Sequence, residues 1–288
     1  MRGTTKRIVS VGIAGALCAA MQLPLLAQES DAPYTDLREL RGLPANQVVY
    51  VFRSPYVTSV DVKIIVQSPT KMEQGRLYPV LYMLNEYAGN CPNLQEAERL
   101  KIFDTYQVIC VNVGYPGMPW YANHPDNPRL QQERFFLEAA IPLVDSKLPT
   151  RADGSGRFLL GYSKGGFGAF TLLLRHPDLF AKAAAWDAPL SLEKPDHWDM
   201  ASVYGTQDNY DRYAPLRLLR EKADVFRSGP ERFVLLGYSL FPDEVRKTHE
   251  LMTELRIPHA YDSSTKREHN WSSGWFSNAV ERLLKTQP

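Results

Sequence analysis

The rhythm of apolar and polar positions changes once along this chain. In residues 59–67, Val60, Val62, Ile64 and Val66 alternate with Asp61, Lys63 and Ile65. That is close to the period of two expected of a strand with one buried face. Residues 47–57 form a second extended run just before it, so the two predict an antiparallel hairpin. Beyond this point short apolar runs take over: 78–84 (YPVLYML), 108–113 (VICVNV), 157–161 (RFLLG), 181–186 and 233–237. Runs of this kind suit parallel strands buried on both faces. Helical segments separate them, at 94–106, 165–175, 245–255 and 128–148, the last carrying Phe135, Phe136, Leu137, Ala140 and Val144. A final strand at 258–262 and a helix at 275–285 close the chain. Alternating strands and helices predict an α/β fold: a mostly parallel central sheet, an antiparallel N-terminal hairpin and helices on both faces. Residues 186–212 lack clear periodicity and are a candidate insertion bordering a site. There is no internal repeat or low-complexity stretch.

The first residues follow another logic. Arg2, Lys6 and Arg7 make a basic start, residues 8–20 are apolar and uncharged, and small and polar residues follow around Ala27, Gln28 and Glu29. This is the order of a signal peptide, expected to span 1–27, with a single domain at 28–288 and an exported, periplasmic or secreted, product. The alternative is a membrane anchor, but Gln22 and Pro24 interrupt the run before the roughly 20 apolar residues a span needs. A lipid-modified Cys18 fits less well, because bulky Leu17 precedes it. No stable membrane span is expected after cleavage. Charge excludes other classes of partner: 33 basic against 32 acidic residues leave +1, with no long basic run to hold nucleic acid. Export would permit a bridge between Cys91 and Cys110; Cys110, inside an apolar strand, is equally well a buried free thiol.

The strongest chemical signal is Gly161-Tyr162-Ser163-Lys164-Gly165, followed by Gly166. It is a G-x-S-x-G pattern with a strand before it and a helix after it, the context in which a serine nucleophile stands on a sharp turn. Glycines on both sides let strand and helix approach, and the helix N-terminus offers amides to a developing anion. The plainer alternative is a serine that only caps the helix. A serine hydroxyl needs a base. In an α/β-hydrolase chain the order is nucleophile, acid, histidine, with the histidine after the last strand. Of the six histidines only His269, in Glu268-His269-Asn270-Trp271, meets that rule. His176 reads as structural, His249 is helical, His259 enters the last strand, and His124 and His197 lie in loops. For the acid, Asp187 directly follows the strand AKAAAW; Asp243 is the alternative, although Pro242 suggests that it serves a helix start instead.

At these residues the chain resembles the esterase family of α/β-hydrolases that includes esterase D, feruloyl esterases and the mycolyl-transferring antigens. The resemblance spans roughly 61–284. It rests on YPVLYML, ERFFLEAAIPLVD, GYSKGGFGAFTLLLRHPDLF and HNW. It implies the α/β-hydrolase fold and ester-bond chemistry, with Ser163 as nucleophile and His269 as base. Two departures stand out. Where the family has His-Gly after the third strand, helping to form the oxyanion hole, this chain has Asn85-Glu86 and then Tyr87. Where the family has an acid three residues after the glycine that ends the seventh strand, here Gly237, this chain has Leu240. The second departure favours Asp187. The first leaves the backbone of Glu86 or Tyr87 to join the Lys164 amide, with the Glu86 carboxylate expected to turn away and the Lys164 side chain expected in solvent.

The expected reaction is cleavage of a carboxylic ester, of an aryl or carbohydrate acyl kind, through an acyl-enzyme and a Ser-His-Asp triad. Small-molecule or carbohydrate esters are the expected partners. No cofactor or metal is expected: Asp196, His197 and Asp199 match no common ligand spacing. Trp120, Tyr121 and Trp198 form either an aromatic wall near the cleft or packing that ties loops to the domain. Two other readings stay open: an acyltransferase on the same fold, and a non-catalytic binding protein that kept it.

Overall fold

The computed structural model describes residue 1 and residues 33–41, 44–58, 60–86 and 92–285. The chain divides into two units, residues 1–32 and 33–288. Residues 2–27 of the expected export segment, and with them Tyr87 and Cys91, lie outside the described residues.

Among the described residues nine strands make one sheet: β1 (Thr35–Leu40), β2 (Gln47–Arg53), β3 (Val62–Gln67), β4 (Val80–Leu84), β5 (Ile109–Val113), β6 (Arg157–Tyr162), β7 (Lys182–Trp186), β8 (Phe233–Leu236) and β9 (His259–Asp262). Their order is β1-β2-β3-β5-β4-β6-β7-β8-β9. The expected hairpin is β2–β3, with Gln47 opposite Gln67 and Phe52 opposite Val62. From β5 to β9 every pairing is parallel. Successive side chains of a strand serve opposite faces, so Leu159 enters one core and Leu160 the other. The first core is closed by residues 132–147, Ser163–Arg175 and Pro242–Glu254, through Phe136, Phe170 and Met252. The second is closed by Pro92–Arg99 and Trp275–Leu284, through Ala97, Phe276 and Val280. Among the described residues no helix is long and apolar enough to cross a membrane.

Several elements depart from the periodic pattern, each for a local reason. β1 is an edge strand exposed on nearly all positions, so TDLREL shows no alternation. The helix expected at 94–106 is two helices, Pro92–Arg99 and Ile102–Thr105. Lys101 between them is left-handed at φ 51°, a conformation that a right-handed helix cannot continue. The helix expected from 128 begins at Gln132 and widens over Phe135–Ala140. There the Ile141 amide reaches back five residues to the Phe136 carbonyl. Pro142 follows, with no N–H to continue the regular ladder. The stretch 186–212 contains the short helices Met200–Tyr204 and Gln207–Asp211, too brief for a period to show. Cys110 is a buried free thiol in β5, not half of a bridge.

Candidate active site

The end of β6 carries Ser163 onto the first residue of the helix Ser163–Arg175. Tyr162 is extended, at φ −122° and ψ 166°, and Ser163 is left-handed at φ 52°. A non-glycine residue there is strained by about 1–3 kcal/mol and persists only where its surroundings enforce it. The enforcement is steric. A Cβ on Gly161 would lie 2.3 Å from the backbone of Gly165, and a Cβ on Gly165 would lie 2.2 Å from the Leu84 carbonyl oxygen. Only glycines let strand, helix and neighbouring strand meet so closely. Gly165→Ala is therefore expected to lower the unfolding free energy by about 1–3 kcal/mol, the usual cost of overpacking, measured by denaturant titration. The opposing atom is backbone and cannot swing aside.

Asp187 lies one residue past β7, fully buried, with φ 45°. Its carboxylate takes three hydrogen bonds: from the Leu240 amide at 3.0 Å, the Phe241 amide at 2.9 Å and His269 Nδ1 at 2.5 Å. Burial pushes the carboxyl up, but the bonds from His269 and the Phe241 and Leu240 amides outweigh it and hold Asp187 below the usual aspartate value. An ionised carboxylate only accepts, so Nδ1 of His269 carries its proton and Nε2 keeps the lone pair. The imidazole sits between two rings, edge-on to Tyr162 at 4.9 Å and tilted against Phe241 at 5.7 Å. Tyr162 directly precedes Ser163, so the histidine and the serine, 106 positions apart by their numbers, belong to one neighbourhood. Among the described residues Ser163 Oγ has no hydrogen bond to His269. Such bonds are often long without substrate and tighten when it binds.

The remaining sequence candidates divide. Asp243 stands exposed in the first turn of Pro242–Glu254, paired with Arg246 at 3.2 Å, and takes no bond from His269. Glu86 is buried, and its two oxygens are occupied by Tyr162 Oη at 3.1 Å and Trp271 Nε1 at 2.9 Å. These bonds give the Trp of HNW a purpose that its sequence position did not reveal. Lys164 corrects an expectation. Its side chain is not in solvent but buried, with Nζ 5.6 Å from the centre of the Trp120 ring. Burial lowers its pKa, partly offset by the Glu86 charge. Trp120 and Tyr121 are core residues with no exposure, so of the proposed aromatic wall only Trp198 is open. Trp198 stands edge-on to Phe241 at 5.6 Å, one ring removed from His269. His176 is bound to Glu133 at 2.7 Å, consistent with a structural role. Among the described residues no group of His, Cys, Asp and Glu is arranged to hold a metal. A cavity of about 380 Å³, lined by Glu86, Tyr162, Asn270 and Trp271 among others, opens beside the site.

A left-handed serine at a strand-to-helix bend of a mostly parallel sheet, with a histidine delivered from beyond the last strand, defines the class: an α/β-hydrolase fold. Residues 57–225 match the family model described as "Putative esterase", and the chain belongs to that family. Esterase Rv1288 of Mycobacterium tuberculosis (strain H37Rv) is 30% identical over 128 residues, 42% of this chain and 27% of that protein. The chain thus matches about a quarter of the length of this curated relative. Among solved structures, a ferulic acid esterase aligns with TM-score 0.65 at 19% identity, over 83% of this chain and 96% of its own. Staphylococcus aureus FphF, a fluorophosphonate-binding serine hydrolase, aligns with TM-score 0.70 at 13% identity, over 83% and 98%. At these identities the structural likeness speaks for the fold.

Proposed function

We propose that the protein cleaves a carboxylic ester by acyl transfer through Ser163, His269 and Asp187. The observation that carries this reading is the bond from His269 Nδ1 to a buried, ionised Asp187. It leaves Nε2 free to act as a base, on an imidazole that packs edge-on to Tyr162, the residue before Ser163. Ser163 Oγ attacks the ester carbonyl and His269 Nε2 takes its proton. The Lys164 amide and the amide of Glu86 or Tyr87 hold the oxyanion. The imidazolium then returns its proton to the departing alcohol. Water, deprotonated in turn by His269, releases the acid from Ser163. Asp187 stays ionised throughout and supports the imidazolium.

An aryl or carbohydrate acyl ester is the proposed substrate class. Support comes from exposed Trp198, beside the ring that touches His269, and from the ferulic acid esterase among the structural neighbours. Within the same reading, residues 1–27 direct export, the domain is residues 28–288, and the product is periplasmic or secreted; N-terminal sequencing of the mature protein tests the cleavage.

The direct test is a fluorophosphonate probe followed by peptide mapping, together with turnover of a panel of aryl and carbohydrate esters. Covalent capture at Ser163 is expected. An enzyme that hydrolyses esters but carries the label elsewhere, or nowhere, would sink the assignment. Adding an alcohol acceptor and analysing products separates hydrolase from acyltransferase.

A further inference from the structure

The loop after β4 is one of the two places where this chain departs from the family it resembles, and buried hydrogen bonds hold it. Leu84 pairs with Gly161 in parallel register, so the chain leaves the sheet at Asn85 beside Tyr162, whose Oη donates to the Glu86 carboxylate at 3.1 Å. A Cβ on Gly165 would come within 3.5 Å of the Asn85 carbonyl carbon, so this stretch abuts the nucleophile helix. The Asn85 side chain belongs to a buried cluster of three asparagines. Its Oδ1 accepts from Asn93 Nδ2 at 3.0 Å and from Asn112 Nδ2 at 2.5 Å, and its Nδ2 donates to Asn112 Oδ1 at 3.1 Å. All three residues are at most 1% exposed. On the main chain, Tyr121 Oη donates to the Asn85 carbonyl at 2.8 Å. Burial keeps the Tyr121 hydroxyl protonated, so it serves as a standing donor.

Tyr121 itself is costly to place. It is left-handed at φ 57°, and Gln132 Oε1 pins it by accepting the amides of Trp120 and Tyr121 at 2.9 and 3.0 Å. Its ring fits only because position 168 of the nucleophile helix is glycine, where a Cβ would lie 2.2 Å from the ring. Backbone strain held by surrounding bonds is a mark of functional positioning. The geometry explains the use. A peptide unit is planar and trans, so its C=O and the following N–H point in opposite directions. Holding the Asn85 oxygen on Tyr121 aims the Glu86 N–H the other way.

We infer that Tyr121, with Asn85, Asn93 and Asn112, is a positioning device that aims the Glu86 amide at the oxyanion. This rests on the esterase reading above. Tyr121 touches no reacting atom; it acts through the Asn85–Glu86 peptide.

The test uses the purified full chain and Tyr121→Phe, which removes one oxygen and keeps the ring, with Asn93→Ala as a second variant. For a p-nitrophenyl ester, kcat is expected to fall about 10- to 100-fold, up to the loss seen when a whole oxyanion donor is removed. KM should stay within about twofold and the pH profile should keep its shape. Inhibition by a trifluoromethyl ketone, whose adduct carries the oxyanion, should weaken by the same factor as kcat. A merely structural role would not link these two numbers. A folded Tyr121→Phe with wild-type kcat overturns the inference, and so does a kcat loss without weaker ketone binding; if Tyr121→Phe does not fold, Asn93→Ala is judged by the same two outcomes. Wild-type protein that fails to take a fluorophosphonate at Ser163 sinks the esterase reading instead, and this inference with it.

Discussion

Ser163→Ala is expected to lower kcat for a responsive ester by about 10⁶, the scale on which removal of a serine nucleophile from a triad acts. Steady-state assays of the two proteins under matched conditions give the number. The loss should fall on kcat, because Oγ forms a bond only after substrate has bound. Activity within tenfold of wild type would remove Ser163 from the chemistry. A companion variant separates chemistry from strain. Ser163 is left-handed at φ 52°, where any Cβ costs about 1–2 kcal/mol. Ser163→Gly should be as inactive as Ser163→Ala yet more stable than it by about 1 kcal/mol in denaturant titration. Equal stabilities would mean that the turn is not strained in solution.

Asp187→Asn is expected to reduce kcat by about 10⁴, the effect of an amide that leaves imidazole geometry intact but reverses its tautomer. The amide can donate to Nδ1, and the imidazole proton then moves to Nε2, where the base is needed. Asp243→Asn, on the exposed helix turn paired with Arg246, should retain wild-type turnover. The opposite ranking would move the acid to Asp243. The same carboxylate has a signature in stability. Its folded pKa lies below the ordinary aspartate value of 3.8, so it contributes stability above that value. The contribution is lost as pH falls through the lower folded pKa. The stability difference between wild type and Asp187→Asn should therefore hold from neutral pH down to about 4 and shrink below it.

Much of the architecture was legible in the chain because its cues are local. VLYML and FVLL are apolar throughout, as strands covered on both faces must be. β1 was not legible, since an exposed edge strand has no buried face to impose a period. The wide turn over Phe135–Ala140 had a visible cause in Pro142, although the helix pattern ran across it without a break.

What the sequence determined by itself is eight of the nine strands, the bend at Ser163 and the late histidine. These follow from glycine placement, apolar runs and chain order, all readable within a few residues. The tertiary structure alone decided which carboxylate meets His269, 82 positions from it. That depended on the Leu240 and Phe241 amides, whose directions no side-chain pattern records. It also placed Lys164 under cover beside Trp120, joined Trp271 to Glu86 across 185 positions, and set Tyr121 against Asn85. Burial and long-range hydrogen bonds depend on which surfaces finally pack together, and periodicity in the chain carries no information about that.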